Sequence, residues 1–526
     1  MTARVLRVLV VAAAAAAVAG AVRERVGDDK PRVTHVRYLV TQDAKKLLLP
    51  LVEQFNRTHD VQVDAVMTLT SGEAESAIAS GGERAVLWTP ASSLWGRLLD
   101  HDAHAAWVPA GNPSLVSSPQ VIAMWKNLAV ALGWGHKKIG WTDVLALATS
   151  GRGWAAYGHP EFGSFKLGHT NPDFSTSGLS AVASEYYAIT GKRTGLRLQD
   201  IRRPEVRAAV RTIERSIVHY GKTADAFTKQ MDRWGSAYAQ AVYVQETQLR
   251  EFNKTRKHVT PLVGILPAEG TFVADYPLIV LRAPWVDGPA RAAAETFRRW
   301  LVPRITASLA AASGFRLRPP THLRTLELPR PEVLAAIQDG WHADRKPANV
   351  VLVVDTSSSM DAAGRLDAAK LGLLSFLREL TPEDRVGLVT SGSSVVIRVP
   401  LAESRRSRPA IVRAVGKLFA NGELPVYGAV SRALAQVRAR HDSAHINAVV
   451  VLSDGAGTSA GLSSLLRSIR AQQPTEGTSV RIFTIAYAGG ANAGVLERIS
   501  SASGGAFFPG GPKDITAVYR SISAFF

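Results

Sequence analysis

The sequence predicts an α/β protein in two parts: a two-lobed domain of strand–helix units, then a doubly wound domain on a parallel sheet. Three observations carry this. Strand-like and helix-like segments alternate along most of the chain, the rhythm of parallel βαβ units. Two continuous apolar runs, at 350–354 and 449–452, have the composition of central strands buried on both faces. Prolines cluster between 317 and 347, with Pro319, Pro320, Pro329, Pro331 and Pro347, and this interval separates the two rhythms. A chain of 526 residues also exceeds what one hydrophobic core supports. The expected division is 1–32 as an export signal or anchor with a stalk, 33–317 as the two-lobed domain, 318–348 as a proline-rich linker with one short helix, and 349–526 as the second domain.

At the N-terminus Arg4 and Arg7 precede an alanine-dominated apolar run from Val8 to Val22, with Ala19, Gly20 and Ala21 as a small-residue cleavage site. This is the charged-then-apolar pattern of an export signal. The run is short for a membrane span of about 20 residues, and an uncleaved anchor that takes in Val5 and Leu6 is the alternative. Both place the remaining chain outside the cytoplasm, extracellular or at the cell surface, with membrane association only through the N-terminus. Cysteine is absent, which excludes disulfides, thiolate metal sites and a lipidated cysteine.

The basic balance, Lys+Arg 62 against Asp+Glu 44 for a net +18, is scattered along the chain. It forms no basic stripe interleaved with aromatics, so nucleic acid is not an expected partner. The reading is solubility and general attraction to anionic surfaces.

In the first domain, 33–40 reads as a strand, and Thr41 or Asp43 caps a helix with Leu47, Leu48, Leu51, Val52 and Phe55 at helical spacing. Strands follow at 61–68 and 86–88, the latter ending at Thr89 and Pro90. After residue 150 the rhythm resumes, with Ser175, Thr176, Ser177 and Gly178 opening a helix at 179–189. These units, with the export signal, resemble type 2 periplasmic solute-binding proteins, and the resemblance implies Thr41, Trp88, Ser92, Ser175, Thr176 and Ser177 as candidate ligand-binding residues; hydroxyls and N–H groups at helix N-termini attract anions. The same residue types are ordinary helix caps. Trp88, Trp125, Trp134 and Trp141 either wall a cleft or fill the core.

In the second domain the first apolar strand runs directly into Asp355-Thr356-Ser357-Ser358-Ser359, and the second ends in Ser453-Asp454-Gly455. Asp-x-Ser-x-Ser at the carboxyl end of a strand gathers a carboxylate and two hydroxyls on one tight loop. Asp454 emerges at the same sheet edge, where ligands of open α/β sheets bind. All are hard oxygen donors, suited to Mg²⁺ or Mn²⁺, with Ca²⁺ the alternative, and not to zinc.

This pairing, with its flanking strand order, resembles von Willebrand factor type A domains and their metal-ion-dependent adhesion site, which implies a Rossmann-like fold over 349–526. The family pattern completes the site with a threonine in a Gly-Gly-Thr-x-x-Tyr loop. The matching stretch here is Gly422-Glu423-Leu424-Pro425-Val426-Tyr427, so Leu424 stands at the threonine position and Glu423 is the residue able to reach inward instead. The first domain, with its export signal, resembles type 2 periplasmic solute-binding proteins, including carriers of oxyanions such as molybdate or sulfate.

These resemblances imply an exported or surface-anchored binding protein. Its second domain would take a protein or polymer ligand through a divalent cation, and its first a small anionic solute. The alternative is the solute-binding component of an ABC-type transporter with an accessory C-terminal domain. No HExxH zinc motif and no phosphate-cradling Gly-x-x-x-x-Gly-Lys is present, and an enzyme is not expected.

Overall fold

The computed structural model describes residues 34–423, 426–440, 442–454, 461–471, 479–487 and 493–526. The proposed export signal and Leu424 lie outside the described residues. No described helix is long and apolar enough to cross a membrane.

Three sheets organise the chain. The first lobe orders its strands Ile279–Val280, Leu87–Thr89, Thr34–Val40, Val61–Val66. All neighbours there are parallel except the late return strand Ile279–Val280. The second lobe orders Ile217–Gly221, Leu167–Thr170, Ala241–Gln245, Ser118–Trp125, Leu262–Ile265. Its first three strands are parallel, and Ser118–Trp125 runs against both of its neighbours. The chain therefore crosses into the second lobe at Ser118 and returns to the first before Ile279, which makes the two lobes one discontinuous pair.

The third sheet orders Val395–Glu403, Arg385–Ser391, Ala348–Asp355, Ile446–Ser453, Val480–Tyr487, Phe507–Gly510. Only the edge strand Val395–Glu403 is antiparallel. The apolar run predicted as a central strand sits in the middle. Successive side chains of a strand point to opposite faces, so Val350, Leu352 and Val354 enter one core cluster while Val351 and Val353 enter another. The first of these clusters is continuous with the core of the solute-binding-like lobes. The helix Ser404–Gly416 is one of several that the sequence reading does not mark; it buries only Ser404, Ser407, Ile411 and Val415 and carries Pro409 inside it, so its apolar stripe is too narrow to stand out.

Within 318–348 lies the helix Pro331–Asp344, with proline in its first turn, where the missing N–H is harmless. Trp341 and Asp344 on its last turn are buried. Arg207 and Arg211, on the second-lobe helix Pro204–Ser216, both bond the Asp344 carboxylate. Arg345, 4% exposed, then pairs with the fully buried Asp384 at 2.6 Å. Asp384 also accepts from the backbone N–H groups of Ala348 and Thr381.

Candidate metal centre and interlobe cleft

The carboxyl ends of two neighbouring central strands meet at one point. Asp355 ends the strand Ala348–Asp355 and is 1% exposed. Its Oδ1 accepts from the Ser357 N–H at 2.9 Å and its Oδ2 from the Ser453 hydroxyl at 2.6 Å. These bonds fold the loop back over the strand end, and the hydroxyls of Ser357 and Ser359 come to 3.0 Å from one another. Asp454, one residue beyond the strand Ile446–Ser453, is 4% exposed. Arg365, at the start of the helix Arg365–Glu379, reaches the Asp454 carboxylate at 3.5 Å and the Ser359 carbonyl at 3.3 Å. The Tyr487 hydroxyl donates to the Arg365 carbonyl at 3.0 Å.

Burial lifts the Asp355 carboxyl above the ordinary carboxylate range. The Ser357 and Ser453 hydroxyls and the Ser357 N–H oppose this, and the Asp454 charge adds to it. Two buried carboxylates so placed favour a nearby cation. The donor set is oxygen throughout, two carboxylates and two hydroxyls, which fits a hard divalent ion. Glu423 is exposed on the loop that brings its neighbour Gly422 against this site. The Gly422 carbonyl accepts from Ser358 N–H at 2.9 Å. Gly422 has φ +73, and a Cβ there would lie 2.2 Å from the Ser393 nitrogen, so only glycine lets the loop close.

The six candidate residues of the first domain divide between the core and the cleft. Trp88 is 1% exposed and packs in the apolar core. Ser92 caps the helix Ser93–Asp102, accepting from Leu94 N–H at 3.3 Å. Ser175 is half-buried at the start of the helix Thr176–Thr190, with no side-chain cap bond. Thr176 is bonded across the lobes: the Trp95 indole N–H donates to its hydroxyl at 2.8 Å. Ser177 donates to Gln120 Oε1 at 3.2 Å. Two buried polar atoms here, Thr41 Oγ1 and Gln120 Nε2, have no hydrogen-bond partner.

The lobes also meet at the backbone. Gly72 N–H, in the first lobe, donates to the Phe174 carbonyl of the second at 3.2 Å. A Cβ on Gly72 would stand 1.8 Å from the Asp173 carbonyl oxygen. Deeper in, the Tyr276 hydroxyl sits between Gln245 Oε1, at 2.6 Å, and the buried Asp43 carboxyl, with one proton to give. Burial raises the Asp43 carboxyl above its usual range, opposed by its bonds from Tyr276, backbone N–H groups and Gln245.

Several residues were not singled out from the sequence. Trp95, Gln120, Gln245 and Tyr276 line the contact between lobes, with Asp43, which the sequence marks only as a helix cap; they are spread over more than two hundred positions, with no local spacing to mark them. A buried trio, His169, Glu185 and Glu214, brings its ligand-type atoms within 4.8 Å of one another. His169 Nε2 lies 3.0 Å from Glu214, whose other oxygen accepts from Tyr220 at 2.6 Å and Trp341 at 3.0 Å. Burial, with the Glu214 charge beside it, pushes Glu185 well up. The chain also spells His-x-x-x-His at His441 and His445, and Gly-x-Ser-x-Gly over 457–461. His441 and 457–460 lie outside the described residues, and His445 pairs with Asp442 at 2.8 Å.

Residues 36–316 match the family model described as bacterial extracellular solute-binding protein, and residues 350–456 that of the von Willebrand factor type A domain. The chain belongs to the bacterial extracellular solute-binding proteins, and it carries a von Willebrand factor type A domain at its C-terminal side. Two uncharacterized proteins of Mycobacterium tuberculosis, from strains CDC 1551 / Oshkosh and H37Rv, are each 25% identical over 456 residues. That match covers 80% of this chain and 64% of theirs, so the chain spans less than two thirds of the length of these curated relatives. Among solved structures, a von Willebrand factor type A protein from Catenulispora acidiphila is similar at 21% identity and a TM-score of 0.30, covering 34% of this chain and 42% of that one. The periplasmic binding protein AfuA from Actinobacillus pleuropneumoniae, solved with fructose-6-phosphate, is 12% identical with a TM-score of 0.42, covering 60% of this chain and 99% of its own.

Proposed function

We propose that this protein is an exported or surface-anchored binding protein whose von Willebrand factor type A domain takes a protein or polymer ligand through a divalent cation, Mg²⁺ or Mn²⁺ ahead of Ca²⁺. The observation that carries this reading is the convergence of Asp355, Ser357, Ser359 and Asp454 at one sheet edge. Asp355 and Asp454 are the charged donors of the site, and Ser357 and Ser359 the neutral ones. A hard cation held there offers an open coordination position to an acidic group of the partner. Arg365 sits beside Asp454 and holds the Ser359 carbonyl, which orients the loop toward that position.

Titration calorimetry of the full chain with Mg²⁺, Mn²⁺ and Ca²⁺ tests the reading. The expected outcome is saturable binding that Asp355→Ala abolishes and Asp454→Ala weakens. No saturable heat with any of the three ions overturns it.

A second reading, the solute-binding component of a transport system, is favoured by one observation. Thr41 Oγ1 and Gln120 Nε2 are buried without partners, and such atoms are usually satisfied by a ligand or by water. A small polar solute that raises the melting temperature of wild type, but not of Thr41→Val, supports this role.

A further inference from the structure

The amino ends of the third sheet, opposite the metal centre, carry a different feature. A small cleft opens there between the second lobe and the von Willebrand factor type A domain, lined by Lys166, His219, Tyr238, Lys346, Asn447 and Arg481 among others. Six separate segments supply these residues. Lys166 precedes the strand Leu167–Thr170 and His219 lies in Ile217–Gly221. Lys346 precedes Ala348–Asp355, and Asn447 and Arg481 begin Ile446–Ser453 and Val480–Tyr487. Three of the lining side chains are cations, and no carboxylate lines the wall among the described residues.

Lys346 is the informative one. It is 6% exposed, and no described residue gives its ammonium a hydrogen bond or an ion pair. The carboxylate that acts on it through space is Asp442, which is already gripped by Arg385 at 2.6 Å and His445 at 2.8 Å. The nearby Arg215 repels it, and is itself paired with Glu383. Burial pulls Lys346 from 10.5 down to about 8. His219, stacked on Tyr238, has a buried Nδ1 without a hydrogen-bond partner. Burial and the charges of Arg481, Lys346 and Lys166 push it well below its usual range. Arg481 is fixed by a bond to the Phe525 carbonyl at 3.2 Å and by the Tyr238 hydroxyl. An ammonium so largely taken out of water, its nitrogen still reaching the cleft and no carboxylate paired to it among the described residues, favours an anion that joins it there.

We infer that this interdomain cleft is a binding site for a doubly charged tetrahedral oxyanion, phosphate or sulfate, held by Lys346 and Arg481 with Lys166 and His219 beside them. The site is separate from the cleft between the lobes and from the strand-end metal centre, and it does not depend on the function proposed above. Because its walls come from both domains, the anion bonds one domain to the other, and binding stabilises their docked arrangement.

The test is calorimetric titration of the full chain with sulfate and with inorganic phosphate, at constant ionic strength set with chloride. Wild type is expected to bind one ion with a Kd below about 1 mM and to gain melting temperature with either oxyanion. Lys346→Met is expected to weaken that binding at least tenfold, and Lys166→Ala to weaken it less. Lys229→Ala, which removes an exposed lysine, is expected to leave it unchanged. If Lys346→Met does not fold, Lys166→Ala against Lys229→Ala keeps the comparison. Phenyl phosphate separates two sources of the same chemistry: exclusion identifies the free ion, and equal binding extends the class to phosphate esters. Absence of saturable binding, equal effects of chloride and sulfate, or binding indifferent to both cleft lysines overturns the site.

Discussion

The Ser453 hydroxyl donates to Asp355 Oδ2 across 2.6 Å, so the last residue of one central strand positions the last residue of its neighbour. With the Ser357 N–H on Oδ1, this bond fixes the rotation of the Asp355 carboxylate, the group proposed to hold the cation. Groups that orient a ligand in this way typically contribute about 10–100-fold in metal affinity. Ser453→Ala is therefore expected to weaken Mg²⁺ or Mn²⁺ binding by about tenfold with little change in melting temperature. Titration calorimetry beside Asp355→Ala checks this, and affinity unchanged from wild type counts against the orienting role.

The Trp95–Thr176 bond joins the lobes. Thr176→Val keeps the volume and removes the acceptor, leaving a buried indole N–H unsatisfied at a cost of about 1–3 kcal/mol. The lobes of the variant are expected to splay. Small-angle scattering should record a larger radius of gyration than wild type, whereas identical curves would show that the bond does not govern closure.

Glu75 gives a pH signature. It is 5% exposed, and burial pushes its carboxyl from 4.5 up to about 8, with Asp102 adding to the shift and Arg520 opposing it. Between those two values the folded chain keeps a proton that the unfolded chain releases. This group's stability contribution is thus full below about 4.5 and falls as pH rises toward about 8. Glu75→Gln removes that fall. Urea melts should show the variant more stable near pH 9, by an order of a few kcal/mol, and close to wild type near pH 4. A constant offset between the two proteins at both pH values would contradict the assignment.

Asp344 anchors the end of the helix between the two domains through Arg207 and Arg211. Asp344→Ala removes the buried carboxylate and leaves two guanidinium groups, 37% and 50% exposed, that water still solvates, so the loss is about 1–3 kcal/mol. Limited proteolysis is expected to cut 318–348 faster in the variant than in wild type. Equal rates would place the restraint elsewhere, with Arg345–Asp384 the next pair to remove.

Strand ends were legible in the sequence because their signals are local. The run from Val350 to Val354 and the Asp-x-Ser-x-Ser that follows occupy ten consecutive residues, and Asp454 follows its own apolar run in the same way. The support around them was not legible. Arg365 and Tyr487 reach the site from elements whose sequence only records helix and strand. The cleft behaves likewise: Trp95 and Thr176 are 81 positions apart, and neither stands in a motif. The basic excess, read as scattered, is scattered along the chain, yet folding collects Lys166, Lys346 and Arg481 around one cleft. Contacts made by tertiary packing leave no periodicity to read.

Gly72 has a consequence of another kind. With 1.8 Å between its missing Cβ and the Asp173 oxygen, the seam between the lobes tolerates one amino acid out of twenty. Alanine there acts as a wedge: it alters no charge and removes no hydrogen-bonding group, yet the two backbones cannot approach. Gly72→Ala is thus a steric doorstop, a means of holding the molecule ajar so that whatever its interior accepts can be offered to it while every polar group remains in place.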